Sequence, residues 1–396
     1  MKKKRNWFLL GIYVLVVIIN VLARYNRGFG DKVRQGIFRL MQYVQGYISS
    51  LFPFSVGELL LGLAVFLAAG AILLFIILLI ERIAEIWKRK RKTALHEEAD
   101  KGTDAGGRNL KFKRFAGGYF YVLLWITGIV SVIMSTNCFA LYHCSSFQEN
   151  YMPVEKREYT VGELAVVRDY VVRQCNELAQ EMERDEKGHI IYENDMGLRA
   201  VSEMERLGET YPLLSGYYPR PKRFALSGFF SQQYIMGYYF PFSMEANYND
   251  VMYISNVPAT ICHELSHVKG FIYEDDANFI GYLACISSED AFFRYSGYLS
   301  VLDYLNKDLY ESLGNSRETY LTYEKCSPLV ESDNIFLTKE AWEEVESRAV
   351  LDTETVKQAS RSFLETNLQV NGIEEGIASY GKVVEQLLIY YDGTLY

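Results

Sequence analysis

Three long apolar runs, at about 7–23, 56–80 and 119–141, constrain this chain more than any motif in it. Each is near the roughly 20 residues needed to cross the hydrocarbon core of a bilayer. In that medium a backbone must satisfy its own hydrogen bonds, so each run is expected to be a membrane-spanning helix. The first run lacks a small-residue cleavage site, since Ile18, Ile19, Asn20, Val21 and Leu22 follow one another at its end, and it reads as a retained anchor rather than a signal peptide.

Short-loop charge sets the expected orientation. Lys2, Lys3, Lys4 and Arg5 mark a cytoplasmic start. Lys88, Arg89, Lys90, Arg91 and Lys92, with Lys111, Lys113 and Arg114, mark a basic cytoplasmic loop over 81–118. The loop at 24–53 also carries positive charge, which blurs the signal. Residues 1–142 are therefore read as a three-span anchor and 143–396 as an extracytoplasmic domain. Within the basic loop, 94–107 is rich in Gly, Asp and Glu and reads as a flexible linker. A net charge of −8 excludes a nucleic-acid partner, which needs clustered positive charge. The expected partners are the lipid bilayer and a peptide or protein substrate. None of the six cysteines forms a CxxC pair, which argues against a cysteine-based metal site; Cys262 and Cys285 fall in apolar helical patterns and read as buried thiols.

The exported part is expected to be mainly α with a small β-sheet. Leu164, Val167, Tyr170, Val171 and Cys175 recur at helical spacing, with Thr160 and Glu163 forming a capping box ahead of them. Gly188 divides this region into two helices. Pro219 and Pro221 forbid regular structure around them. Tyr234, Met236, Tyr238 and Phe240 alternate as in one or two short strands with a turn. Pro258 then opens a helix and Gly270 ends it. A second helix begins near Glu274, and the remainder is mostly helical.

That first helix carries His263-Glu264-Leu265-Ser266-His267, an HExxH motif. Residues four apart share a helix face, so His263 and His267 can present their imidazoles to one ion, with Glu264 beside the water such an ion activates. The expected cofactor is Zn²⁺, which in hydrolytic sites takes three protein ligands and leaves one position open. No histidine follows His267, so an oxygen donor is expected as third ligand. Glu274 is the first choice and Asp276 the alternative. In Glu274-Asp275-Asp276-Ala277-Asn278 the carboxylate precedes a small residue and a side chain that can reach back. This pattern resembles the ExxA(D/N) helix of gluzincin peptidases. The resemblance implies a zincin-like α+β fold, with Asn278 supporting His263 through its second nitrogen and Ala277 keeping the helices close. Only six residues separate His267 from Glu274, fewer than in most gluzincins. The HExxHxxG portion resembles metzincins, but Tyr273 stands where their third histidine would be.

The chemistry expected of such a site is amide hydrolysis with Glu264 as general base. Tyr380 is a candidate for stabilising the tetrahedral intermediate. The segment Tyr239-Phe240-Pro241-Phe242-Ser243-Met244-Glu245-Ala246-Asn247 precedes the motif helix by a short connection, where an edge strand can bind substrate by strand addition. The chain also resembles an uncharacterised bacterial membrane family, domain of unknown function 3810. The resemblance rests on Pro53-Phe54-Ser55-Val56-Gly57-Glu58, on Pro241-Phe242-Ser243-Met244-Glu245-Ala246-Asn247, and on the motif through Phe279. It implies organisation and a bacterial cytoplasmic membrane, not an activity. The leading expectation is a membrane-anchored zinc metallopeptidase acting outside that membrane. The alternative is a non-catalytic zinc-binding sensor or scaffold. A transporter role is disfavoured because the spans carry few charges beyond Glu58, and an intramembrane protease because the motif lies outside the spans.

Overall fold

A computed structural model describes residues 2–95, 105–152, 157–370 and 381–396. The chain is mainly helical, with one small mixed sheet. It divides into two compact units. Unit 1 comprises Met1–Ile18 and Gly57–Ile133; unit 2 comprises Ile19–Val56 and Met134–Tyr396.

Unit 1 is built from most of α1 (Lys2–Tyr25), α4 (Val56–Leu95) and α5 (Ala105–Asn137), the intervening α2 (Arg27–Val33) and α3 (Arg39–Ser50) belonging to unit 2. Three stretches, Arg5–Tyr25, Val56–Lys88 and Leu110–His143, are long and apolar enough to span a membrane. The most apolar window of the second buries no residue, the reverse of a core helix. Sparse polar contacts tie these helices together. The Tyr13 hydroxyl donates to the Leu124 carbonyl (2.8 Å) and the Tyr119 hydroxyl to the Leu67 carbonyl (2.7 Å), while Gly128 lets Ile12 and Tyr13 approach closely. The expected flexible linker lies only partly within the described residues: α4 runs to Leu95 and α5 starts at Ala105, so its two ends are helical.

Unit 2 corrects the reading of 24–53 as a plain loop. That segment folds as α2, a π-helical turn (Arg34–Phe38) and α3. Its positive charge serves this packing. Arg34 is buried, pairs with Asp31 at 2.8 Å and donates to the Ser145 carbonyl at 3.0 Å.

The rest of unit 2 follows in order: α6 (Phe147–Tyr151), α7 (Val161–Ala179), α8 (Met196–Thr210), β1 (Lys222–Arg223), α9 (Ser227–Gln232), β2 (Gly237–Phe240), β3 (Glu245–Tyr248), α10 (Val257–Val268), α11 (Glu274–Ile286), α12 (Ala291–Ser312), α13 (Arg317–Tyr320), α14 (Pro328–Asp333), α15 (Lys339–Arg348), α16 (Thr353–Val370) and α17 (Gly381–Tyr391). The α7 start is a full capping box between Thr160 and Glu163. Strand order is β1-β3-β2, with β1 parallel and β2 antiparallel to β3. The prolines at 219 and 221 end just before β1, so regular pairing resumes at Lys222. The sheet is pinned from below by Glu245, fully buried, which pairs with Lys222 and accepts from the Val56 amide at 3.2 Å. All six cysteines are free, and the Cys262 and Cys285 sulfurs sit 3.9 Å apart between α10 and α11.

The core of unit 2 gathers α7, α10, α11, α12 and α17 around Phe279, Tyr282, Phe293 and Tyr295. At its edge Asp333 is wholly buried and accepts from Arg184 (2.6 and 2.9 Å), Tyr295 (2.8 Å) and Tyr253 (3.1 Å). Removing it leaves a mostly buried guanidinium and two buried hydroxyls unpaired. Asp333→Ala is therefore expected to destabilise the fold by about 3–5 kcal/mol, read as a lower thermal-unfolding midpoint. A midpoint equal to wild type contradicts this.

Candidate metal centre

The centre is set by how α10 ends. Pro258 occupies the first turn of α10, where a missing amide costs nothing. Past the C-cap Lys269, Gly270 adopts φ +87°, a conformation L residues rarely take. The Gly270 amide donates to the His267 carbonyl (2.9 Å) and the Phe271 amide to the Ser266 carbonyl (3.3 Å), the paired bonds of a Schellman turn. This turn swings the Phe271 carbonyl back to within 2.6 Å of His267 Nδ1.

After that turn α11 packs tightly across α10. A Cβ at Gly281 would lie 3.1 Å from the His263 amide nitrogen, and Ala277 is fully buried. Asn278 Oδ1 lies 2.8 Å from His263 Nδ1. Both histidines thus engage an acceptor through Nδ1, which orients the imidazoles and leaves Nε2 as the ligand atom. The two Nε2 atoms stand 3.1 Å apart, and Glu274 brings its carboxylate oxygens within 3.2 Å of His263 Nε2 and 3.7 Å of His267 Nε2. His263, His267 and Glu274 are the metal-capable group found among the described residues, with donor atoms within 4.8 Å of one another.

Those separations suit one ion. Two ligands each about 2.1 Å from a tetrahedral zinc stand about 3.4 Å apart. The charges agree. Burial works against a charged His263, but the hydrogen bond to Glu274 and its charge outweigh burial and lift the imidazole to about 9. Burial likewise opposes ionised Glu274, yet the His263 hydrogen bond and the two imidazoles hold it down near 2. Burial keeps His267 neutral, down to about 4. The three groups together favour one positive charge at their centre: a proton on His263 or a metal cation in its place. Glu274 is 40 % exposed, so solvent reaches the centre from that side.

Asp276, two residues on, points elsewhere. Its carboxylate accepts from the Phe147 amide (2.7 Å) and from Gln386 (2.9 Å) in the core. Burial raises it to about 7. It knits α6 and α17 to α11 and does not join the imidazoles.

Glu264 is 5 % exposed and its Oε2 has no hydrogen-bond partner. Burial raises the carboxyl to about 8, His263 opposing and Glu274 adding to the rise. A buried carboxyl oxygen without a hydrogen-bond partner is costly to the fold. Strand β2 lies directly against it: a Cβ on Gly237 would fall 2.7 Å from Glu264 Cγ and 2.8 Å from Cδ. Gly237→Ala therefore displaces Glu264. On the hydrolytic chemistry expected of the HExxH motif, turnover should fall about 10²-fold, and unchanged turnover would contradict this placement.

Asn278→Ala removes the acceptor from His263 and is expected to weaken metal affinity about 10–100-fold, measured by competition with a chromophoric chelator. Unchanged affinity would show that Asn278 does not orient the ligand.

Tyr380 lies outside the described residues. Tyr238, known from the sequence only as part of an alternating strand, sits one residue past Gly237. Tyr238 is 45 % exposed. Its signal was position: it lies in the aromatic, strand-forming region that leads to the motif helix.

Apolar helices joined to a unit holding a His/His/Glu cluster define a membrane-associated protein with a metal-capable centre. The chain belongs to the family described as Protein of unknown function (DUF3810), whose profile matches residues 34–389. No curated protein and no solved structure matches it.

Proposed function

We propose that this protein is a membrane-anchored zinc-dependent metallopeptidase with a zincin-like domain, hydrolysing peptide bonds outside the cytoplasmic membrane. The observation that carries this reading is the pairing of a three-donor cluster with an unpartnered, buried Glu264 next to it. His263, His267 and Glu274 would hold the ion. Zinc in such a site supplies a Lewis acid that polarises a carbonyl and acidifies water. Glu264 would take a proton from the attacking water and return it to the leaving amine. Gly237, lacking a side chain, leaves room for Glu264 beside β2. Among the described residues β2 is a sheet edge, and its outer side would offer backbone groups to an extended substrate.

Chain parity supports the location. Residues 26–55 follow the first apolar helix and 144–396 follow the third, and their membership of one compact unit fits both lying on the same side of a membrane. With a cytoplasmic start, that side is extracytoplasmic. A zinc-binding sensor or scaffold remains the alternative. Against it stand three converging protein donors among the described residues rather than the four typical of structural zinc, and a Glu264 whose Oε2 has no hydrogen-bond partner there.

The test is hydrolysis of an unfolded polypeptide pool by the full-length protein in detergent micelles. New amino termini that vanish with a chelator and return with zinc are expected. Their absence from zinc-loaded protein contradicts the peptidase reading.

A further inference from the structure

Helix α3 is amphipathic in the reverse sense to a helix of a soluble domain. Gln42, Gly46 and Ser49 are buried against unit 2, whereas Leu40, Tyr43, Val44, Tyr47 and Ile48 are exposed. At 100° per residue the buried residues share one face and the exposed apolar ones share the other. The apolar stripe continues through Leu51, Phe52 and Phe54 to the start of α4. Tyr43, at the edge of this face, stacks on Tyr217, but Tyr47 and Leu51 are 64 % and 66 % exposed, so most of the face is unmet by the described residues of unit 2.

The chain's course says what covers it. Unit 2 receives the chain at Ile19, within the first apolar helix, and gives it up at Val56, where the second begins. A helix held between two such ends lies close to the bilayer surface. Its composition suits that surface: tyrosines and phenylalanines beside leucine, valine and isoleucine, with exposed Lys32 upstream to meet phosphate groups. At 12 residues it is too short to cross.

The inward face of α3 is tied to the metal helix through one intermediary. Gln42 donates to the Tyr217 carbonyl at 2.8 Å, and Lys269, the C-cap of α10, donates to the same carbonyl at 2.8 Å and to Ser215 at 3.0 Å. Phe38 and Arg34, one turn before α3, pack where a Cβ on Gly270 would be, at 3.0 and 3.1 Å. The end of the third apolar helix is fixed to the hairpin beside Glu264: Asn137 donates to the Pro241 carbonyl at 2.8 Å, and Tyr239 donates to the Asn137 carbonyl at 3.3 Å.

We propose that the exposed face of α3 is embedded in the lipid interface, that it holds the metal centre at the bilayer surface, and that the centre acts on polypeptides tethered to the same membrane. The last part rests on the hydrolytic reading above; the first two do not.

The experiment uses full-length protein in nanodiscs of phosphatidylcholine and phosphatidylglycerol, with an environment-sensitive fluorophore at Leu40, Val44 or Tyr47, and at Val350, 95 % exposed, as aqueous control. Doxyl-labelled lipid is expected to quench the three α3 positions several-fold more than Val350, and aqueous iodide the reverse. Iodide quenching of the α3 positions equal to that of Val350 overturns the docking surface. In liposomes, a reporter anchored by its own apolar helix is expected to be cut about 10²-fold faster than the same peptide free in solution. Equal rates overturn the tethered-substrate assignment. If neither reporter is cut by zinc-loaded protein while the quenching pattern holds, the hydrolytic reading fails and takes the substrate assignment with it, and the docking surface stands.

Discussion

Replacing Glu264 with Gln is expected to leave the metal in place and to lower peptide hydrolysis by about 10²–10⁴-fold. The carboxylate is not one of the three converging donors, and its Oε2 has no hydrogen-bond partner to lose. Gln keeps the shape of the side chain against Gly237 but cannot accept a proton. Fold and metal content should therefore be preserved, and the loss should fall on turnover. The measurement is turnover at saturating substrate for wild type and variant, each with its zinc quantified. Full activity in a zinc-loaded Glu264→Gln protein would sink the general-base role.

Glu274→Ala and Asp276→Ala are expected to part company just as sharply. Along a helix, positions two apart point about 200° away from each other, so only one of these carboxylates can face the imidazoles. Glu274 faces them; Asp276 faces Phe147 and Gln386. Loss of Glu274 should lower zinc affinity by more than the about 10–100-fold expected for a supporting residue, with the fold intact. Loss of Asp276 should spare zinc affinity and lower the unfolding midpoint, because it leaves a buried amide without its acceptor. The pair is read by zinc competition and thermal unfolding on the same preparations. The reverse pattern would make Asp276 the ligand.

Much of the centre is legible in residue order. His263 and His267 at four-residue spacing, Pro258 at the helix start and Gly270 past its end each act through local physics that tertiary packing does not override. Asn278, four residues after Glu274, shares its face and stands beside His263. The choice between Glu274 and Asp276 was not legible, because both open the same helix and only its rotation against α10 separates them. Gly237 as the neighbour of Glu264 was equally hidden, since that contact joins residues far apart in sequence. The segment 24–53 was misread as a loop because two things disguise its helices. Gly28, Gly30, Gly36 and Gly46 lower helix propensity, and its apolar stripe, facing away from the protein, is too short to register as a span. β1 escaped notice since two residues after two prolines carry no strand pattern of their own.

The central claim is that His263, His267 and Glu274 form one metal site. Its most direct test is the zinc content of full-length protein purified without chelators, beside His267→Ala prepared identically. One zinc per chain in the wild type, lost in His267→Ala while the unfolding transition is retained, is the expected result. A folded wild type that neither carries zinc nor takes it up on addition would contradict the account.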